Sequence, residues 1–396
     1  MTKRLAIAAV VGVLSLAGCA VYEGPVPELD TIDQPVGLLV HPDGRYLYVL
    51  SSNFDGTSRT EDGGLLSVID TDTGEILSDD TWRVASFGAR MNFGGDPAAP
   101  DALYAVTRGD NALYMFDLDA EGRPTCPGAT RPNDGSACAV ERPMGADPYD
   151  VIEVDRWTRD SDGGGADLRA VAVASLGDEL TFVTVRDGNR ETARVRRAEF
   201  PGGPNTMVQL TADDLLVAGR FSNRLSVVTW YHDADDEVAG FVETRRVSLP
   251  NRTPRSEVRD VAVSTVEPVA WLTHRGPSGI TRLDVSLDAT GTPRARTVAR
   301  WSLEGGPSDL VVVEEDGVEV LYTTLATTGE VAAVDGATGA LLATIPVGDD
   351  PFAMAWDPTR NQRLWVALFG EDAIVGIDLD PTSSTFRQVV TRIGGE

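Results

Sequence analysis

The chain has 396 residues, with 61 Asp and Glu against 34 Lys and Arg, for a formal net charge of −27. So acidic a balance argues against nucleic acid or an anionic membrane surface as an electrostatic partner, because both are recognised through basic patches. An apolar content of 42% with 7% aromatics excludes wholesale disorder, and length alone suggests two or three domains unless one repeat fills the chain.

Met1-Thr2-Lys3-Arg4 carries positive charge ahead of Leu5 to Leu16, an apolar run too short to span a bilayer, so the start reads as an export signal. It ends Leu16-Ala17-Gly18-Cys19-Ala20, which closely resembles the lipobox of bacterial lipoproteins. The resemblance implies cleavage before Cys19, lipid attachment at Cys19 and, with Ala20 in place of Asp, sorting to the outer membrane. Several acyl chains on one residue would anchor it firmly to the membrane. An ordinary secretory signal with an incidental cysteine is the alternative. Residues 20–33 are polar and Pro-containing, as suits a tether.

From Gln34 onward one unit recurs. Gly306-Pro307-Ser308-Asp309-Leu310 opens a copy that continues through Val320–Thr324, Val331–Asp335 and Leu341–Val347, and Pro351 opens the next. Each copy holds four short runs of β-branched, Leu and aromatic residues cut by Gly, Asp, Asn and Pro, the pattern of a four-stranded antiparallel meander. The leading proline recurs at Pro35, Pro148, Pro204, Pro254, Pro307 and Pro351, roughly every 50 residues, with one double interval holding a copy that lacks it. Third strands ending in Asp70, Asp117, Asp284, Asp335 and Asp378, with weaker copies ending near Arg186 and Trp230, also give seven repeats. A lone meander cannot bury both faces, so the predicted fold is all-β, a seven-bladed β-propeller of four-stranded antiparallel blades over residues 34–396. Residues 1–18 then form the signal peptide and residues 19–33 the tether.

Pro35-Val36-Gly37-Leu38-Leu39-Val40-His41-Pro42-Asp43-Gly44, the strand Tyr46–Val49, and Val68-Ile69-Asp70-Thr71-Asp72-Thr73-Gly74 together resemble the YVTN family of seven-bladed β-propellers. Repeats one, six and seven match well, two and five loosely, and three and four by period more than by letter. The last repeat keeps its own outer strand at Phe386–Ile393, so ring closure is expected to rest on face packing between first and last blades.

Cys126 and Cys138 bracket a loop rich in Pro, Gly and Asn, and in an exported chain this even pair reads as a local disulfide stapling an insertion. Catalytic signatures are scarce: the sequence lacks Gly-x-Ser-x-Gly, His-Glu-x-x-His, Cys-x-x-Cys and Gly-x-x-x-x-Gly-Lys. His41, His232 and His274 fall at strand ends and read as hydrogen-bonded or exposed rings, with a His41–carboxylate base at the channel mouth as the alternative. Asp70–Glu75 reads as a strand-connecting turn in preference to a calcium loop, and Arg159–Asp167 as a loop in preference to an ion site. Trp356 and Trp365 read as core, and Arg196-Arg197 and Arg245-Arg246 as solvated outer edges.

The favoured function is a monomeric, lipid-anchored binding or scaffold module of the cell envelope, with no cofactor and no metal, whose partner is an envelope protein or a small molecule. Its candidate binding-face loop includes Asn53, Asp55, Arg59, Glu61 and Asp62. The alternative is a propeller enzyme of lactonase, lyase or dehydrogenase type, with a site gathered at the central channel from several blades, which a linear scan would miss.

Overall fold

The computed structural model describes residues 26–53, 63–140, 144–161, 164–232, 238–249 and 257–395. These form seven sheets, each of four antiparallel strands in chain order, and no sheet borrows a strand from another repeat. The innermost strands are Pro35–Val40, Gly88–Asp96, Pro148–Ser161, Pro204–Gln209, Val258–Val263, Pro307–Glu315 and Pro351–Asp357.

Alternation of side chains puts apolar residues on both faces of each meander, and each face is covered by the neighbouring blade. Seven apolar clusters result, one per junction between adjacent blades. At the junction of blades six and seven, Val320, Tyr322 and Val331 meet Met354, Leu364 and Val366. Each fully buried Val, Leu or Ile there contributes about 1.5–3 kcal/mol relative to exposure. The junction between first and last blades is built the same way, with Leu38, Leu47 and Ile69 against Trp365, Ile374 and Ile393. Closure therefore rests on face packing, reinforced by the hydrogen bond that Gln34 N donates to Asp372 Oδ1 at 2.8 Å and by the Arg360–Asp72 ion pair.

Four details refine or correct the sequence expectation. Val258 occupies the first position of the fifth inner strand, pairing with His274, and Pro254, the proline expected ahead of that strand, lies outside the described residues. In the second blade Gly88 holds that position, because a Cβ there would stand 2.6 Å from Leu50 Cγ. Residues 159–161 and 164–167 are strand where a loop was expected, extending a hairpin in which Ala166 pairs with Arg159 and Gly164 with Ser161. Finally, the packed unit begins before Gln34, since Ile32 is buried in the junction of blades one and seven and Pro27 O accepts from Arg83 Nη2.

The Cys126–Cys138 disulfide is present, with Cα atoms 5.5 Å apart. The second blade's outer strand is only Pro124–Thr125, and the disulfide loop fills the space a longer strand would take. Both sulfurs are buried beside Phe116 and Trp82, while Asn133 O accepts from Arg83 N of the first blade. The loop thus borrows the core of two blades.

Trp365 is fully buried, and its indole Nε1 has no hydrogen-bond partner among the described residues. Trp365→Phe should therefore leave the urea midpoint unchanged or raised, whereas Trp365→Ala should cost about 3–5 kcal/mol by equilibrium unfolding.

Candidate functional site

Every inner strand bulges near its start: pairing with the second strand slips between the first residue and the third or fourth. A bulge re-aims the side chains around it. Here it opens the inner strands toward the channel, where Gly37, Arg90, Asp260, Asp309 and Ala353, third residues of five blades, line one cavity of about 190 Å³.

The carboxylates at that level hold neighbouring blades together. Asp150 Oδ2 accepts from Met207 N at 2.7 Å, Asp260 Oδ2 from Leu310 N at 2.9 Å and Asp309 Oδ2 from Met354 N at 2.6 Å. In each case the donor is the fourth residue of the next inner strand. Arg90, on blade two, reaches over the channel and donates to Asp260 Oδ1 at 2.6 Å and Asp309 Oδ1 at 2.9 Å, on blades five and six. Burial opposes charge on Arg90, but Asp260, Asp309 and Asp150 outweigh it and hold the guanidinium more basic than an ordinary arginine. One cation faces three carboxylates, so one of them favours a proton. Burial pushes Asp150 up to about 6, against the pull of Arg90 and Met207 N–H. Burial, and then Asp260 beside it, push Asp309 up further.

Above this floor the second residues of the inner strands and the ends of the second strands form the mouth. Arg259 is 6% exposed and lines the cavity, and its Nη1 has no partner among the described residues. Arg275 donates from Nη2 to Ser308 Oγ at 2.9 Å, and its Nε is likewise unpartnered. Arg108 and Arg220 each place Cζ 5.8 Å from the Tyr149 ring centroid, and Arg108 Nε contacts Asp147 Oδ1 at 2.5 Å. Burial, then repulsion from Arg259, lowers the pKa of both Arg220 and Arg275. Four cations of like sign are thus gathered in partial isolation from water, which is costly unless an anion joins them. Against them stand Asp147, paired with Arg108, Glu257, which acts on Arg220, and Asp350, raised by burial and stabilised by Arg275.

Sequence reasoning missed this group because the four arginines come from blades two, four and five. A signal was present. Arg108, Arg220 and Arg275 occupy the same register, at or just beyond the end of a second strand, in Val106-Thr107-Arg108, Ala218-Gly219-Arg220 and Thr273-His274-Arg275. Stacking the repeats in columns exposes it.

Of the candidate loop, Asn53 lies just past Ser52, which lines the mouth; Asp55, Arg59, Glu61 and Asp62, like Cys19, lie outside the described residues. His41 is not at this mouth. It follows the inner strand's far end, about 20 Å along the chain from Pro35, where it pairs with Asp43 at 2.7 Å and packs edge-on against Tyr48 and Phe93. His274 is buried within its blade against Thr281 Oγ1, and burial, aided by Arg300, lowers it to about 4, so its ring is neutral. His232 contacts Asp155 at 3.0 Å at the surface. Asp70 Oδ1 is occupied by Asp72 N, Thr73 N and Thr73 Oγ1, the hydrogen bonds of a turn. Arg245 and Arg246 are engaged by Asp288 and Glu243. Among the described residues no group of three or more His, Cys, Asp or Glu could hold a metal ion.

No protein-family model matches the chain, and no curated protein matches it. Solved structures do match. The periplasmic gluconolactonase of Pseudomonas aeruginosa aligns with 15% identity and a TM-score of 0.55 over 80% of this chain and 86% of its own. A Bacteroides fragilis protein provisionally assigned as a 6-phosphogluconolactonase gives 14%, 0.55, 81% and 86%. Hydrazine synthase of Kuenenia stuttgartiensis gives 15%, 0.56, 89% and 97%. At such identities the likeness is one of fold.

The raised carboxylates make stability depend on pH with a definite sign. An unfolded carboxyl titrates near about 3.9, so between there and the raised folded values the native state binds more protons and stability falls as pH rises. Asp309→Asn should remove part of that fall. Thermal midpoints of the two proteins, followed from pH 4 to 9, should diverge progressively in favour of the variant.

Proposed function

We propose that the channel mouth binds a small molecule that carries a carboxylate or phosphate, or acquires one on reaction, and that the chain is a propeller hydrolase of the lactone-opening kind. The observation that carries this is Arg259, a buried guanidinium with an unpartnered N–H in a cavity that Asp309 also lines. Two of the solved structures of this fold bear the names of gluconolactonases, which supports the same class. The scaffold reading has no comparable site behind it.

The chemistry fits the groups present. Water adds to the lactone carbonyl, giving a tetrahedral oxyanion that Arg259 and Arg275 stabilise in partial isolation from solvent. The ring C–O bond breaks, and the departing alkoxide takes a proton from the Asp260–Asp309 pair. The attacking water's proton restores that pair, and the new carboxylic acid releases its own proton to solvent. A hydroxy-carboxylate remains, paired with the arginines.

We place this protein in the cell envelope, held by lipid on Cys19, as a propeller of the YVTN type. The charged, apolar and small-residue order of positions 3–20 supports the first assignment, and repeats one, six and seven the second. Mass spectrometry of the exported protein should find Cys19 acylated at a new N-terminus; an unmodified Cys19 refutes the anchor.

Proton release from glucono-δ-lactone and from 6-phosphogluconolactone, followed at pH 7 with the purified propeller, tests the activity. We expect a rate above spontaneous opening and a loss in kcat/KM of at least about tenfold for Arg259→Met, equivalent to about 1.4 kcal/mol of transition-state stabilisation. Binding of gluconate or phosphate without turnover reduces the protein to a binding module; neither binding nor turnover ends the proposal.

A further inference from the structure

The arginines form only half of the mouth. Beside them, and sharing Val36, Ala89, Tyr149 and Phe352 with the deeper cavity, is a second recess of about 280 Å³. Its wall carries Phe87, Phe352 and Phe369, and Arg108 marks its boundary with the charged half. Phe352 and Phe369 lie with ring centroids 5.9 Å apart and planes inclined at 35°. Both are only partly buried and line a recess left open among the described residues.

This arrangement follows from the seventh blade's sequence. Phe352 takes the register position that Tyr149 and Arg259 hold in their blades, next to the leading proline or its equivalent. Phe369 immediately follows the second strand, in the region where blades two, four and five present arginine. The seventh blade thus sets aromatic carbon at positions where blades two, four and five place arginine. A sugar acid or sugar phosphate can lay only a C–H face on these rings, and apart from Ser52 and Arg108 the recess offers its hydroxyls little to bond, whereas a flat apolar group fills it with no polar group to desolvate.

Building on the anion site proposed above, we infer that the ligand is an amphiphilic anion: a carboxylate, or the lactone that yields one, bearing a flat apolar group such as an aryl ring. Its charged end pairs with Arg259 and Arg275, and its ring enters the recess against Phe352 and Phe369. Ring centroid separations of 4.5–7 Å are those at which aromatic groups attract, and burial of one face of a phenyl ring strengthens binding by about tenfold or more.

Calorimetric titration with acetate, gluconate, phenylacetate, 2-naphthoate and the neutral 2-naphthalenemethanol tests the inference on the wild-type propeller and on Phe352→Ala, Phe369→Ala and Arg259→Met. We expect 2-naphthoate to bind at least about tenfold more tightly than gluconate, and each Phe variant to remove most of that advantage while leaving gluconate unchanged. Arg259→Met should weaken every anion and leave the alcohol untouched. Circular dichroism of each variant confirms folding before titration. Gluconate binding as tightly as naphthoate, or a naphthoate affinity indifferent to both Phe variants, overturns the amphiphile and leaves the anion site standing. The alcohol binding as well as naphthoate, with no effect of Arg259→Met, overturns the anion site itself. No binding by any anion overturns both.

Discussion

The hydrogen bond that an inner-strand aspartate accepts from the next blade's backbone is the contact on which the centre of this ring depends. Asp150, Asp260 and Asp309 each catch the fourth residue of the following inner strand. A bulge makes this possible by turning the strand start toward the channel, where an ordinary β ladder would have consumed the same groups. The cost is three carboxylates close together out of bulk water, and Arg90 offsets it by spanning the channel to two of them. Apolar clusters seal the blades to one another, and these polar links tie inner strands together at the level of the cavity floor.

The blades were legible in the sequence because each repeat carries its own punctuation. A leading proline, a Pro-Asp-Gly or similar turn, and a terminal Asp on the third strand are local features with local causes, and strand alternation supplies the rest. In the fifth blade the register is carried by Val258, which enters the cluster with Leu272 and Leu225. Gly88 shows a landmark removed because Leu50 needs the space. The site was not legible by scanning, since a ring brings together residues that are remote along the chain. Arg90 and Asp309 are separated by 219 positions yet share a hydrogen bond. Only the equivalence of register among Arg108, Arg220 and Arg275 could have betrayed it.

An acidic protein with a cationic mouth is no contradiction. Most of the carboxylates face solvent, where they keep the surface soluble and cap turns, as Asp70, Asp335 and Asp288 do by accepting from backbone N–H groups. The arginines of the mouth are different because they face each other. A surrounding negative field repels dilute anions at long range, but salt screens that field within about 10 Å, whereas the guanidinium groups act at contact. The arrangement favours ligands that are selected after arrival over ligands that are steered in by the overall charge.

The manner of ring closure has a further consequence. Because each sheet is contiguous in the chain and the first and last blades meet by face packing, no strand is exchanged to latch the circle. Ile32 at one end of the packed unit lies within 3.5 Å of where a Cβ on Gly394 at the other end would stand. The two ends could therefore be joined by a short peptide and the chain reopened between any other pair of blades. Such circular permutants should keep the same ring, so the order in which blades leave the ribosome is a matter of folding route and not of architecture.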